Sequence, residues 1–250
     1  MSGHSKWHNI RLRKGKVDAQ RGALFTKLSK EIILAAKSGS PDPEANYRLK
    51  MAVEKARENN MPMDNIKRAI ARAAGADGGK EIEEVRYEGY GPHGVAVIVD
   101  VATDNRNRTA SEMRYIFSRN GGSLGETGSV GWQFEPRGVI EVETGGRGED
   151  ALTEAALVDG VEDLRYDADR SEIVTAVAAL QSVREALVRS GLKVTEARLS
   201  MEPKTTVGLS GDEAVAVLKF LDALEEHEDV QSVYSNVDVS TADLEALAGA

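Results

Sequence analysis

The residues best suited to chemistry crowd the first thirty positions. His4, Lys6, Trp7, His8, Arg11, Arg13, Lys14, Lys16 and Arg21 stand close together in sequence, and Lys27 and Lys30 carry the charge onward. Cations at this spacing can follow a phosphate backbone, and Trp7 and His8 add flat faces on which bases stack. Positions 1–30 hold eight basic residues and one acid, Asp18. The competing reading is a solvated tail that happens to be basic. Charge distribution favours contact. Positions 1–75 carry 16 Lys/Arg and 7 Asp/Glu, a net of +9, and the chain totals of 32 and 41 leave 16 and 34 for the remainder, a net of −18. A basic arm on an acidic body suits a polyanion and disfavours docking of that polyanion on the body.

A second basic group, Lys67, Arg68 and Arg72, falls in a helical pattern, with Arg68 and Arg72 four apart on one face. The break at Asn59-Asn60-Met61-Pro62 before it permits a helix-turn-helix reading with this helix in a major groove. Against that, Asn65 is the one nearby side chain suited to reading base edges, so a solvated bundle face is the stronger alternative. Two loops are candidate partner contacts. Asp104, Asn105, Arg106, Asn107 and Arg108 exceed what capping the next helix requires, and Glu126 and Thr127 sit in the Gly-rich stretch 121–129.

Other motifs weaken on inspection. His4 and His8 lack a completing ligand, so no metal is expected. Gly89-Tyr90-Gly91-Pro92-His93-Gly94 spells G-x-G-x-x-G, but the strand-like Val95–Val99 follows it where a dinucleotide fingerprint needs a helix. It reads as a hairpin turn, and no cofactor is expected. The stretch 121–129 has no lysine for a phosphate loop, and Glu126 would repel phosphate. The histidines His4, His8, His93 and His227 form no nucleophile arrangement, and Gly128-Ser129-Val130-Gly131 lacks the spacing of a nucleophile elbow. No catalytic residue is expected.

The elements that must position these residues follow from hydrophobic period. Phe25, Leu28, Ile32 and Ala35 form one helical stripe, Leu49, Val53 and Ala56 a second, Ile66, Ile70 and Ala73 a third. Asp42 is expected to cap the second helix with Pro43 at its first position. Three short amphipathic helices should pack as a bundle. Beyond Ala76-Asp77-Gly78-Gly79 the period changes. Glu84–Tyr90 and Val95–Thr103 read as strands, Arg108–Arg119 as a helix and Ser129–Phe134 as a strand. Residues 139–199 then read βαββαβ, a ferredoxin-like order. A helix over Asp212–Glu225 and a strand over Val230–Val239 close the chain. The expected class is α+β, a three-helix bundle plus two α/β domains. The expected organisation is a flexible arm at 1–17, a bundle at 18–79, a discontinuous α/β domain at 80–135 and 204–242, and an inserted ferredoxin-like domain at 136–203.

Length and composition agree with a cytoplasmic setting. The chain has 250 residues, 41% hydrophobic and 29% charged, with no cysteine. Its apolar runs, such as Val95–Val99, are too short to span a bilayer, and the basic N-terminus has no apolar stretch behind it, so neither membrane nor secretory signal is expected.

Several segments match a known family in order: Gly3-His4-Ser5-Lys6-Trp7, Arg21-Gly22 with Phe25-Thr26-Lys27-Leu28, Met61-Pro62 with Asp64-Asn65-Ile66, Tyr87-Glu88-Gly89-Tyr90-Gly91-Pro92, Thr103–Arg108, and Asn120-Gly121-Gly122 with Leu124–Val130. On these the chain resembles the YebC/PmpR family, densely over 3–130 and mainly in length and element order beyond. Arg11-Leu12-Arg13 and Ala23-Leu24 depart from its commonest forms. The resemblance implies three domains and no enzyme activity. For bacterial members it implies a DNA-binding transcriptional regulator. Related mitochondrial activators and ribosome-associated relatives imply a translation factor on ribosomal RNA as the alternative. The expected partner is thus duplex DNA or ribosomal RNA, with the ribosome itself included.

Overall fold

A computed structural model of the chain describes residues 21–75, 80–240 and 243–244, which divide into a compact unit at 132–205 and a larger unit on either side of it. The arm at 1–17 and the linker at 76–79 lie outside the described residues.

The larger unit begins with helices α1 (Arg21–Lys37), α2 (Tyr47–Glu58) and α3 (Met63–Ala73). Leu28, Ile32 and Ala35 of α1 are buried against Leu49, Val53 and Ala56 of α2 and Ile66 and Ala69 of α3. Burying each Leu or Ile contributes about 1.5–3 kcal/mol, which short helices cannot supply alone. The start of α2 differs from expectation. Asn46, not Asp42, is its cap, accepting the Leu49 N–H at 3.1 Å. Its amide also donates to Ala35 O and Ser40 O, both at 2.8 Å, so one side chain ties α1 to α2. Asp42 instead accepts the Glu44 N–H within a turn. Asn46 wins because it offers an acceptor and two donors where both are needed.

Next come strands β1 (Glu83–Tyr90) and β2 (Ala96–Thr103), helix α4 (Arg106–Arg119) and the short strand β3 (Ser123–Leu124). After the 132–205 unit follow β8 (Val207–Gly208), α7 (Gly211–Glu225), β9 (Val230–Ser235) and β10 (Val237–Asp238). The main sheet has the antiparallel order β3-β1-β2-β9. Val97, Val99 and Val101 alternate along β2 into a core shared with Met113 and Phe117 of α4 and Val217, Phe220, Leu221 and Leu224 of α7. Phe117 and Phe220 meet edge-to-face at 4.9 Å. The glycine motif serves this core. A Cβ on Gly89 would lie 2.8 Å from the Phe117 ring, and one on Gly91 2.6 Å from the Phe220 ring. The β1–β2 turn places His93 at φ 58 and Gly94 at φ 76.

Two strands depart from expectation. Ser129–Phe134 is no strand, because the Gly128, Val130 and Gly131 N–H groups donate to the Glu88 carboxylate instead of to a ladder. The segment Val230–Val239 breaks at Asn236, whose side chain accepts the Ala96 N–H at 2.8 Å while its carbonyl accepts the Val207 N–H at 2.7 Å. That turns the chain from β2 to β8, which pairs in parallel with β10.

The 132–205 unit contains β4 (Phe134–Glu143), α5 (Glu149–Ala155), β5 (Val161–Arg165), β6 (Arg170–Thr175), α6 (Leu180–Arg189) and β7 (Val194–Pro203). Its antiparallel order β5-β6-β4-β7 is the ferredoxin-like arrangement. The class is therefore α+β, with a helical bundle, an antiparallel sheet packed by helices and a βαββαβ unit.

Candidate nucleic-acid interface

Of the expected contacts, His4, Lys6, Trp7, His8, Arg11, Arg13, Lys14 and Lys16 lie outside the described residues, and Arg21 is described only as the first residue of α1. The remaining cations separate into two groups by what holds them.

Lys27 and Lys30 turn inward. Sequence reasoning extends the basic arm onto them, whereas their ammonium groups serve the body of the larger unit. Lys27 donates to the Glu225 carbonyl at the end of α7. Burial, with Lys30 nearby, outweighs the Glu225 and Glu226 carboxylates and lowers the Lys27 amine to about 8. Lys30 pairs with the fully buried Asp229 carboxylate and also donates to Glu228 O at 3.2 Å. Both cations lie on one side of α1, and the partners they meet are acids and carbonyls of the α7–β9 turn.

Asp229 is the junction. Besides Lys30 it takes Arg108 Nη2 at 2.8 Å and the Thr109 hydroxyl at 2.7 Å. Thr109 in turn accepts from Thr103 at 2.7 Å, and Thr103 accepts the Asn105 N–H at 2.9 Å. Burial alone would raise the Asp229 carboxyl. The Lys30, Thr109 and Arg108 hydrogen bonds reverse that and hold it far below the usual carboxylate range. The Asp229 N–H donates to His227 Nδ1 at 3.1 Å, which assigns the ring proton to Nε2, 2.9 Å from Glu112. Glu112, His227 and Asp229 thus have metal-like proximity. Lys30 and Arg108 already balance the Asp229 charge, so the cluster reads as an ion-pair junction.

The loop 104–108 is divided by the same contacts. Asn105 caps α4, accepting the Arg108 N–H at 3.2 Å, and Arg108 also lies 3.5 Å from Asp104. Arg106 and Asn107 are exposed, and Arg106 has no ion pair to a described carboxylate. Glu126 and Thr127 are exposed on the loop that Glu88 organises. Burial works to raise the Glu88 carboxyl, but donation from Gly128 at 3.0 Å, Val130 at 2.9 Å and Gly131 at 2.6 Å keeps it below its ordinary value. Neither Glu88 nor Asp229 stands out in sequence. Glu88 lies in a family motif with no local hint of its donors, and Asp229 closes an acidic run that reads as solvated.

On α3, Lys67 and Arg68 are exposed and Arg72 is half-buried. Arg68 reaches back to Asp64 O at 3.3 Å and to the Asn65 side chain, and Arg72 reaches Lys80 O at 3.4 Å. The one side chain suited to base edges, Asn65, is therefore engaged within its own helix.

On the sheet of the 132–205 unit the arginines are matched by acids. Glu172 lies 3.0 Å from Arg198 and 3.7 Å from Arg165, which also meets Glu202 at 2.7 Å, and Arg170 lies 2.8 Å from Glu141.

Lys67 and Arg68 of α3 and Arg106 and Arg114 of α4 thus have no ion pair to a described carboxylate. Comparison with known proteins supplies the context. Residues 5–76 match the family described as the TACO1/YebC protein N-terminal domain, and residues 82–237 match the TACO1/YebC second and third domain. The chain belongs to the TACO1/YebC family. It is 54% identical over 241 residues to a "Probable transcriptional regulatory protein" of Pelotomaculum thermopropionicum, covering 96% of this chain and 99% of that one. A protein of the same description from Rubrobacter xylanophilus is 50% identical over 250 residues, all of both chains. The crystal structure of a conserved hypothetical protein from Aquifex aeolicus superposes with a TM-score of 0.84 at 46% identity, covering 90% of this chain and 93% of that one. Among the described residues no helix is long and apolar enough to cross a membrane.

Proposed function

We propose that the protein is a non-enzymatic, cytoplasmic regulator of gene expression that binds nucleic acid through the basic residues of positions 1–21, and that its target is structured RNA of the translation apparatus. The observation that carries this is the charge split, +9 over positions 1–75 against −18 over the rest. Two features favour RNA. Trp7 and His8 lie among the basic residues of the arm, a combination suited to unpaired, stackable bases. On α3 the Asn65 side chain is held by Arg68, so that helix offers a groove its cations but no free amide for an adenine edge.

Duplex DNA is the second reading. It is favoured by the names of the relatives and by the exposed Lys67 and Arg68. Competition separates the two: purified full chain at one fixed salt concentration, with intact ribosomes set against promoter and random duplex DNA. Ribosome binding far tighter than any duplex binding, and lost on deleting residues 1–17, is expected. Sequence-selective duplex binding that survives excess ribosomes and disappears in Arg68→Ala/Arg72→Ala would replace RNA with DNA.

A further inference from the structure

Helix α4 is the exception in an acidic body. Its fourteen residues contain four arginines and one carboxylate, Glu112, whose oxygen is taken by His227. The inner face, with Thr109, Met113 and Phe117, is buried. On the outer face Asn107, Ser111, Arg114, Tyr115 and Ser118 are all exposed, at three- and four-residue steps. Tyr115 is 59% exposed, a large aromatic ring left in water beside cations. Arg119 lies over that ring at 5.8 Å and donates to its hydroxyl at 3.1 Å. Arg114 pairs with no described carboxylate, in contrast to Arg108 on the inward side of the same helix.

We propose that the outer face of α4 is a second nucleic-acid contact, a short track for single-stranded RNA on which a base stacks against Tyr115 while Arg114 and Arg119 hold the flanking phosphates. The proposal rests on the nucleic-acid reading above and adds a site on the body, separate in sequence from the arm. An aromatic face beside guanidinium groups is the chemistry of a sequence-tolerant stacking platform. Arg119 reaches the ring at its hydroxyl, and the ring is otherwise left open to a base. The charged sheet of the 132–205 unit lacks this property, because its arginines are paired with Glu135, Glu141, Glu162, Glu172 and Glu202. An acidic protein segment would satisfy the arginines and leave the ring unused. A duplex would satisfy the arginines through its phosphates but would offer no unstacked base to the Tyr115 ring.

The test uses the full chain and a fluorescein-labelled single-stranded RNA of mixed sequence, with a duplex DNA of equal length as control, titrated at several salt concentrations. Tyr115→Ala should weaken RNA binding roughly 5- to 100-fold. Tyr115→Phe, which keeps the ring and loses the hydroxyl, should bind nearly as the parent does. Arg114→Ala/Arg119→Ala should lower the salt slope for RNA by about 1.4, the loss of two single-strand phosphate contacts. Every substituted side chain is exposed, and unchanged thermal melting confirms the fold. If these variants bind RNA as the parent does while deletion of residues 1–17 abolishes binding, the α4 track is wrong and the arm reading stands. If they weaken duplex and RNA equally, or if Tyr115→Phe falls with Tyr115→Ala, stacking of single strands is refuted. A parent chain that binds no nucleic acid removes both the arm reading and this site.

Discussion

Replacing Asp229 with alanine should destabilise the larger unit by about 3 kcal/mol. Removing one partner of a buried ion pair ordinarily costs roughly 3–5 kcal/mol, because the other charge stays behind. The structure argues for the lower end. Arg108 is 39% exposed at its side chain and keeps Asp104 at 3.5 Å and Glu112 at 3.8 Å, so its share is that of a surface pair. Thr109 can turn its hydroxyl to Asn105 O, 3.2 Å away. The loss therefore concentrates on Lys30, 14% exposed, which retains only the Glu228 carbonyl. At roughly 2–4 °C per kcal/mol for a unit of this size, the melting temperature should fall by about 10 °C. The double variant Lys30→Met/Asp229→Leu should recover most of that, since an apolar pair leaves no stranded charge. The pH dependence has a definite sign. The folded carboxyl is depressed below its unfolded value of about 3.9, so its contribution is fully present above that value and is lost as pH falls toward the folded one. The gap between parent and Asp229→Ala should accordingly shrink as pH drops below about 4. Urea unfolding at neutral pH reads the magnitude. A difference under about 0.5 kcal/mol would mean that Asp229 is not the junction described.

Three further outcomes follow from the same geometry. Lys27→Met should stabilise the protein at pH 7 by about 2 kcal/mol, the desolvation of an amine lowered to about 8 less one lost hydrogen bond; because the folded value lies below the unfolded one near 10.4, the advantage should narrow as pH rises from 8 toward 10, and a variant less stable than the parent at pH 7 would contradict the inward placement. Glu88→Gln should cost about 3 kcal/mol, since the amide offers one acceptor to three N–H donors, and hydrogen exchange at Gly128, Val130 and Gly131 should accelerate selectively; unchanged protection there would show that the loop is held otherwise. Gly89→Ala should destabilise by roughly 1–3 kcal/mol by forcing a methyl to 2.5 Å from the Ser123 carbonyl of β3 and 2.8 Å from Phe117, and a neutral result in thermal melting would remove the packing explanation of that glycine.

Much of the fold is legible because it is written in local period. The stripe Leu28–Ile32–Ala35 and the alternation Val97–Val99–Val101 specify a helix and a strand before any tertiary contact forms. Where expectation fails, a long-range polar contact decides. Asn46 outcompetes Asp42 as a cap by also binding Ala35 and Ser40, and Glu88 takes the N–H groups of Gly128, Val130 and Gly131, some forty residues away in sequence, that a strand would have used. The inward turn of Lys30 has the same origin. Its partner Asp229 stands 199 residues along the chain, and nothing near Lys30 distinguishes it from the cations of the arm. The exposed face of α4 is half legible: the arginines and Tyr115 can be counted, but the separation of Arg108 from Arg114 requires knowing which way the helix packs.

The most direct test of nucleic-acid binding through the arm is the salt dependence of affinity for single-stranded RNA, measured for the full chain and for Lys6→Ala/Arg11→Ala. Loss of two phosphate contacts should weaken binding and reduce the slope of log affinity against log salt by about 1.4. Affinity and slope identical to the parent at every salt concentration would contradict the assignment of the arm as the anchor.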